Sequence, residues 1–571
     1  MERILTPKTE KQDRFISYFT MEIGLDSRMP TYSGGLGILA GDTIKSCADL
    51  KVPIIVITLL NEKGYFYQKL DENGNQSESP FRWTPESFMT LQEQEIIVKV
   101  EGRDVKVKAW EYIVKGCTGY DVPVYFLDTN VEGNSDSDKG LTSHLYGGDL
   151  RYRLCQKLVL GVGGVRMIEA LGYKSIRKYH MNEGHSSLLT LELLQNTKKE
   201  NETEFDKRYD INSVRKRCVF TTHTPVPAGH DQFPIDMVKS VITTELPIES
   251  DHFCHDGKLN MTLIGLNFSG YVNGVAKKHG EVSRSMFPNY PIDAITNGVH
   301  SATWVSEPFK KLYDNHMPGW TSDPFTLRYA LSIPKYQMWL AHEETKKTLM
   351  DYINKHTNAG FDYHIFTIGF ARRATAYKRP DLLFSDIEKL KQIAKDEGRI
   401  QIVYAGKAHP KDDNGKDLIR KIFQLRNSLG DRIKIVYLQN YDMEMGKMLT
   451  SGVDVWLNTP MRPREASGTS GMKAAHNGVP HFSVLDGWWL EGHVEDVTGW
   501  AIGPKPKGVA TECEDGKDAE DLYKKLVQII KMYYYDPENW RRIMRHVIAF
   551  NASFFNTHRM VQQYVLNAYL T

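Results

Sequence analysis

No run of about 18 apolar residues occurs in this chain, so nothing in it reads as a membrane-crossing helix. The opening residues, MERILTPKTEKQDR, are polar and lack the apolar stretch of a secretory signal. Cysteine is scarce: Cys47, Cys117, Cys155, Cys218, Cys254 and Cys513 are scattered and form no CxxC pair. That argues against a disulfide framework or a zinc site and for idle or buried thiols in a reducing cytoplasm. Net charge is nearly absent, with 72 Lys and Arg against 71 Asp and Glu. No long-range field is left to capture nucleic acid or an anionic membrane, and any bound anion must be held by a local group of cations. There is no internal repeat, low-complexity segment or long flexible linker. The polar stretches DENGNQSES (71–79) and NVEGNSDSDKG (130–140) read as solvated loops.

What is present is an ordinary globular composition, 41% apolar and 25% charged, over 571 residues, too long for one compact core. Apolar runs rich in Val, Ile, Tyr and Phe predict strands at FISYFTM, VPIIVITLL, VPVYFLD, RKYHMN, RCVFTTH and YPIDAITN. A second series follows at HIFTIGF, IQIVYAG, RIKIVYLQ, VDVWLN and HFSVLD. Between them, YRLCQKLVLGVGGVRMIEALG and DAEDLYKKLVQIIKMYYYD have helical spacing. Strand–helix alternation implies parallel sheets with crossover helices, and continuous apolar runs suit strands buried on both faces. The expected fold class is therefore α/β, with two doubly wound domains, 1–305 and 306–571, meeting just after Asn297-Gly298-Val299-His300. A helical segment from about 322 to 356 begins the second. The tail FFNTHRMVQQYVLNAYL reads as an amphipathic last helix that crosses back to the first domain.

Nearly every unusual polar cluster directly follows a strand: Glu183-Gly184-His185, Thr222-His223-Thr224-Pro225, Asn297-Gly298, Arg372-Arg373, Gly406-Lys407 and Tyr441-Asp442. Ligands bind at the carboxyl ends of open parallel sheets, so two facing sheets would gather these clusters into one cleft. The most informative segment is Glu465-Ala466-Ser467-Gly468-Thr469-Ser470-Gly471-Met472-Lys473. Its small residues let backbone amides approach a ligand, and a helix start favours an anion. Lys473, read as lying early in that helix, cannot help the dipole there, which points to a task such as covalent attachment of a cofactor aldehyde. Taken alone, each feature has a plainer alternative: a solvated lysine at a strand–loop–helix corner, a solvated Arg-Arg pair, a tight turn at Gly34-Gly35, a structural histidine after a strand.

In combination the motifs resemble the α-glucan (glycogen, starch, maltodextrin) phosphorylase family, and look closest to its short bacterial and archaeal members. EASGTSGMK is similar to that family's cofactor segment. YSGGLGILAGD, MNEGHSSL, TTHTPVPAG, TNGVH and FARRATAYKRP resemble further family segments, in order along most of the chain. The resemblance implies two Rossmann-like domains of the GT-B glycosyltransferase type facing an interdomain cleft. It implies pyridoxal 5′-phosphate bound to Lys473, with Arg372, Arg373 and Lys378 as the cationic group that holds the cofactor phosphate and the substrate phosphate side by side. Two touching phosphates need such a group. Arg373 is expected to clamp the substrate phosphate and Lys378 with the Gly468-Thr469 amides the cofactor phosphate, while Gly34 and Gly35 touch the substrate phosphate. Around the terminal glucose the resemblance places His223, Asn297, Glu465, Ser467 and Gly468, with His185 on the acceptor side. Tyr441 and Trp304 stand near the phosphate and the cofactor.

The implied reaction is reversible phosphorolysis of an α-1,4-glucan or maltodextrin by orthophosphate, giving α-glucose 1-phosphate with retention. No metal is implied, and the family suggests a homodimer. The chain departs from the pattern in having Arg372 where many relatives have Lys and Glu183 where many have Asp. Little precedes the first strand, so the N-terminal regulatory apparatus of the animal enzymes is expected to be absent. Two rivals are a sugar-nucleotide-dependent glucan glycosyltransferase, against which Lys473 argues, and a silent glucan-binding protein, against which the full set of charged positions argues.

Overall fold

The computed structural model describes residues 10–571 apart from Arg82, Glu249 and 509–513. It is a mixed α/β structure built on two large, mainly parallel sheets. The first has nine strands in the order Asp293–Ala294, Tyr271–Gly274, Cys218–Thr221, Lys178–Asn182, Ile16–Thr20, Ile54–Leu59, Asp121–Asp128, Arg103–Lys115 and Thr90–Val100. The second has six, all parallel: Ile433–Leu438, Ile400–Ala405, Phe366–Ala371, Val455–Asn458, His481–Val484 and Gly499–Ile502. Ile54–Leu59, Phe366–Ala371 and Ile400–Ala405 are buried at every position, in keeping with their mainly apolar, non-alternating sequences.

The differences from the sequence reading have identifiable causes. The antiparallel edge hairpin Thr90–Val100 and Arg103–Lys115 was missed, although its alternation and the turn at Glu101-Gly102, both at positive φ, announce it. YPIDAITN supplies only the two-residue strand Asp293–Ala294. Segment 322–356 is two pieces, a 3₁₀ run Pro324–Ser332 and a helix Lys335–Thr357, parted at Pro334. Neither polar stretch is plain solvated loop. Gln76–Ser79 pairs with Tyr67–Leu70, and this ribbon reaches the second sheet: Gln68 Nε2 donates to Gly406 O at 3.0 Å and Gln76 Nε2 to Ala408 O at 2.9 Å. In the other stretch Asn134 and Asp138 are buried, and Asn134 exchanges hydrogen bonds with the Lys106 backbone. The five described cysteines form no disulfide; Cys513 lies outside the described residues. No helix among the described residues is long and apolar enough to cross a membrane.

Each sheet has its own core. One apolar cluster runs from Phe19 to Ile292 and another from Val305 to Ala552, with no member in common. A smaller cluster joins Ile38, Val299 and Trp304 to Met443, Met472, Leu485 and Trp488. The chain's end returns to the first sheet. In the last helix, Thr557–Tyr564, the Tyr564 hydroxyl meets Thr221 Oγ1 at 3.1 Å, and beyond it the Tyr569 hydroxyl meets His180 Nδ1 at 2.7 Å.

The second sheet is anchored by a buried ion group. Asp454 takes His342 Nε2 at 2.9 Å, the Lys346 ammonium and the Thr367 amide at 2.8 Å, and its side chain has no exposed surface. Burial opposes charge on Asp454, but Lys346 and His342 together outweigh it and hold the carboxyl below the usual range. Asp454→Ala leaves Lys346 buried and unpaired. Chemical denaturation should show a loss of about 3–5 kcal/mol, far more than an exposed ion pair contributes.

Candidate active site

Strand order reverses once in each sheet, between Ile16–Thr20 and Lys178–Asn182, and between Phe366–Ala371 and Val455–Asn458. A crevice opens at the carboxyl ends of such neighbours. Polar side chains bridge both places: Asn182 Nδ2 donates to Thr20 Oγ1 at 3.1 Å, and Arg372 Nη1 donates to Asn458 Oδ1.

At the second crevice the structure brings Arg372, Lys378 and Glu465 together. Arg372 and Arg373 follow the strand Phe366–Ala371, and Lys378 closes the 3₁₀ turn Ala376–Lys378. Arg372 grips Glu465 with both nitrogens, Nη2 to Oε1 at 2.8 Å and Nη1 to Oε2 at 2.7 Å, while Lys378 Nζ lies 2.6 Å from Oε2. Burial would raise the Glu465 carboxyl, but Arg372 and Lys378 outweigh it and hold the group down at about 2. Glu465 thus lies on the cations rather than standing free for a sugar hydroxyl. The Gly468 backbone, at φ 87°, passes beside it: an added Cβ would stand 3.3 Å from Glu465 Oε1.

Arg373 points elsewhere. It is exposed, has no hydrogen bond or ion pair among the described residues, and lies against Gly34, where an added Cβ would be 3.8 Å from its Cδ. The Gly34 amide is already engaged: Glu22 Oε2 accepts from Ser33 N at 2.5 Å and Gly34 N at 3.2 Å. Gly35 opens the helix Gly35–Asp49, faces empty space, and begins a first turn whose amides have no partner within the helix.

Lys473 lies in the last turn of the short helix Ser470–Ala475, not at its start. A cation there suits the dipole, so the dipole no longer marks this lysine as unusual. Its burial does. The ammonium stands 3.7 Å from the centre of the Trp304 ring, with no hydrogen bond or ion pair among the described residues. Burial lowers its pKa to about 8 against the opposing pull of Asp42. Asp42 accepts Trp304 Nε1 at 2.7 Å through Oδ2, and its Oδ1 is buried without a partner.

On the first sheet, Glu183 at φ 72° accepts the amides of Gly184 and His223 and the Thr224 hydroxyl, tying two strand ends together. His223 Nε2 lies 2.6 Å from Asn182 Oδ1, and burial lowers the imidazole to about 4, so it is neutral at pH 7. His185 belongs to another group, with Nδ1 2.8 Å from Lys157 Nζ and 3.4 Å from Asp231 Oδ2. No hydrogen bond or ion pair joins this group directly to Arg372, Lys378 or Glu465 among the described residues. Tyr146 lies between the His185 ring, 5.8 Å away, and Glu22 Oε1, to which it donates at 2.9 Å. Asn297 Oδ1 and Ser467 Oγ are buried with no partner, which in a folded protein marks atoms awaiting one. Half-buried Tyr441, its hydroxyl pushed up by burial, packs against Gly446. The Thr469 carbonyl accepts the Lys473 amide at 3.2 Å.

Sequence reasoning passed over Glu22, Asp42 and Asp486. Asp486 follows the strand His481–Val484, as the named clusters follow theirs, and accepts the amides of Glu465 and Gly487, each at 2.9 Å. Burial, assisted by the neighbouring Glu465 charge, raises it to about 7. Its position after a strand was the available signal.

Known proteins match this arrangement across the chain. The carbohydrate phosphorylase family matches residues 250–525. The chain is 37% identical to a maltodextrin phosphorylase of Thermococcus litoralis, over 98% of this chain and 70% of that protein. It is 34% identical to a glycogen phosphorylase of Aquifex aeolicus, over 97% and 86% respectively. An uncharacterised Methanocaldococcus jannaschii protein is 30% identical over 97% of this chain and 99% of its own length. Similarity of this extent, 30–37% identity over 97–98% of the chain, makes the chain a member of the carbohydrate phosphorylase family.

Proposed function

We propose that this protein is an α-glucan phosphorylase, transferring a terminal α-1,4-glucosyl unit of a glucan or maltodextrin to orthophosphate, reversibly and with retention, to give α-glucose 1-phosphate. The observation that carries the reading is Lys473: a buried, unpartnered amine near neutrality, on the loop–helix segment whose Glu465 holds two cations. The relatives named maltodextrin phosphorylase and glycogen phosphorylase support it. We read the fold as two Rossmann-like domains of the GT-B type, 1–305 and 306–571, facing one cleft. The separate cores and the shared strand order, with the first strand central and a switch beside it, favour this division.

The residues fit pyridoxal 5′-phosphate. Lys473 would bind it covalently, Trp304 would pack beside it, and Arg372, Lys378 and the Gly468-Thr469 backbone would hold its phosphate. When bound, the cofactor supplies a phosphate that exchanges a proton, or shares its charge, with the substrate phosphate. Arg373, free and planar, clamps the substrate phosphate, assisted by the open first turn at Gly35. That phosphate protonates the leaving glycosidic oxygen, and one of its oxygens then bonds to the anomeric carbon on the face the leaving group vacated. Asn297 and Ser467 pair with glucose hydroxyls through the atoms now unpartnered. His223, neutral, positions the sugar by hydrogen bonding, and His185 borders the acceptor side. A phosphate arriving at Arg372 and Lys378 competes with Glu465, which on release can accept from a ring hydroxyl. No pair of catalytic carboxylates is required, in contrast to glycoside hydrolysis. The protein's part is positioning and charge stabilisation.

The deciding measurement is phosphate-dependent glucose 1-phosphate release from glucans of graded length, with cofactor content taken on the same sample. Full cofactor occupancy without product would sink the reading. Lys473→Ala should abolish both the borohydride-reducible absorbance and phosphorolysis. Arg373→Ala should keep the cofactor while kcat/KM for phosphate falls by about 10²-fold or more. The pH dependence of cofactor uptake by apoprotein follows from the Lys473 value: only the neutral amine attacks an aldehyde, so uptake should rise with pH and level off above about 8. A rise continuing to the range of an ordinary lysine would contradict the burial argument.

A further inference from the structure

Away from the cation group, three segments remote in sequence meet at Asp49, His300 and His558. Asp49 ends the helix Gly35–Asp49, His300 precedes the turn Ser301–Trp304, and His558 lies in the first turn of the helix Thr557–Tyr564. His300 Nε2 and His558 Nε2 stand 2.9 and 3.0 Å from the same oxygen, Asp49 Oδ2, and the three donor atoms lie within 4.8 Å of one another. The side chains are only 10%, 5% and 8% exposed, so the point on which they converge is shielded by protein.

We propose that Asp49, His300 and His558 form a structural metal site for Zn²⁺, with the fourth position taken by water. The donor set is the argument. Two imidazoles and one carboxylate suit zinc, whereas magnesium and calcium prefer all-oxygen sets. Ligands bonded to tetrahedral zinc at about 2.0–2.1 Å stand about 3.3 Å apart, so each histidine nitrogen need move only a few tenths of an ångström away from Asp49 Oδ2, while the two nitrogens, within 4.8 Å of each other, settle to the same spacing. The outer contacts suit ligands too: His300 Nδ1 is 2.7 Å from Thr303 Oγ1, and Asp49 Oδ1 accepts the Cys117 amide at 2.7 Å. On metal binding the His300 proton resides on Nδ1, where Thr303 Oγ1 accepts it. On metal binding the His558 proton moves to Nδ1, which is buried with no protein partner among the described residues, a cost the zinc bond must offset.

The ion would staple the last helix and the loop carrying Asn297 and Trp304 onto the first helix. The same joint is already stitched by Val299 N donating to Phe555 O at 3.2 Å and Thr557 N donating to Val299 O at 3.0 Å. The expectation of no metal site rested on cysteine spacing, and ligands at 49, 300 and 558 share no spacing motif.

The test uses untagged full-length protein, stripped with chelator and titrated with Zn²⁺ while bound metal is measured directly. One zinc per chain is expected, with a melting midpoint that rises on zinc addition and falls again with chelator. His300→Ala/His558→Ala should bind zinc at least about 100-fold more weakly and lose the zinc-dependent rise. Failure of the wild-type chain to take up stoichiometric zinc would overturn the proposal, as would equal uptake by the double variant, which would mean an adventitious ion only. Should that variant not fold, cobalt-loaded wild-type protein decides. Intense visible bands of tetrahedral Co²⁺ support the site; a weak octahedral spectrum overturns it.

Discussion

Two buried cations on one carboxylate are the constraint around which the second crevice is built. Arg372 and Lys378 both contact Glu465 Oε2 and are therefore close to one another. Two like charges about 4 Å apart repel by about 4 kcal/mol even at an effective dielectric of about 20. Without an anion the loop after Phe366–Ala371, which carries both cations, would have to open to separate them, and Glu465 on the segment before Ser470–Ala475 would lose what holds it there. Glu465 removes that repulsion, and Asp486 fixes Glu465 by accepting its backbone amide. The same electrostatic demand explains why a phosphate suits this place: it offers more charge and more acceptors than the carboxylate it would replace.

Particular contacts also tie loops of the second sheet to the first part of the chain. The ribbon of Tyr67–Leu70 and Gln76–Ser79 is held to Gly406 and Ala408 by two glutamine amides. The Tyr32 hydroxyl accepts the Met443 amide at 3.0 Å from across the crevice. Arg559 on the last helix donates to the carbonyls of Thr296 and Asn297 at 2.6 and 3.0 Å, so the tail of the chain sets the loop that presents the Asn297 side chain. Position in the fold and position in the site are thus coupled through the carboxy-terminal helix.

Most of the parallel architecture was legible because its strands are short, mainly apolar runs without strict alternation and with polar residues just beyond them, a pattern that points to strands buried on both faces. The hairpin Thr90–Val100 and Arg103–Lys115 carries the opposite signature, alternation, and was lost in a search tuned to buried strands. The ribbon at 76–79 was unreadable for a different reason. Gln76 and Gln68 look solvated in sequence, and only the second sheet supplies the carbonyls they satisfy. The identities of Arg372, Lys378, Glu465 and Lys473 were legible from their motifs. Their pairing was not, because sequence cannot say whether a carboxylate faces a cation or a sugar.

The reading of Lys473 shows why burial matters more than motif. A lysine in the last turn of a helix is electrostatically comfortable and would keep its proton. Nothing in the dipole prepares it for covalent chemistry. Enclosure by Trp304 and the surrounding core removes the water that stabilises an ammonium, and Asp42, the one nearby carboxylate, gives its Oδ2 to the indole. The amine is therefore left charged at a cost and close to losing its proton. A group in that condition gains from any partner that spares it the buried charge, and condensation with an aldehyde, which releases water, does so reversibly.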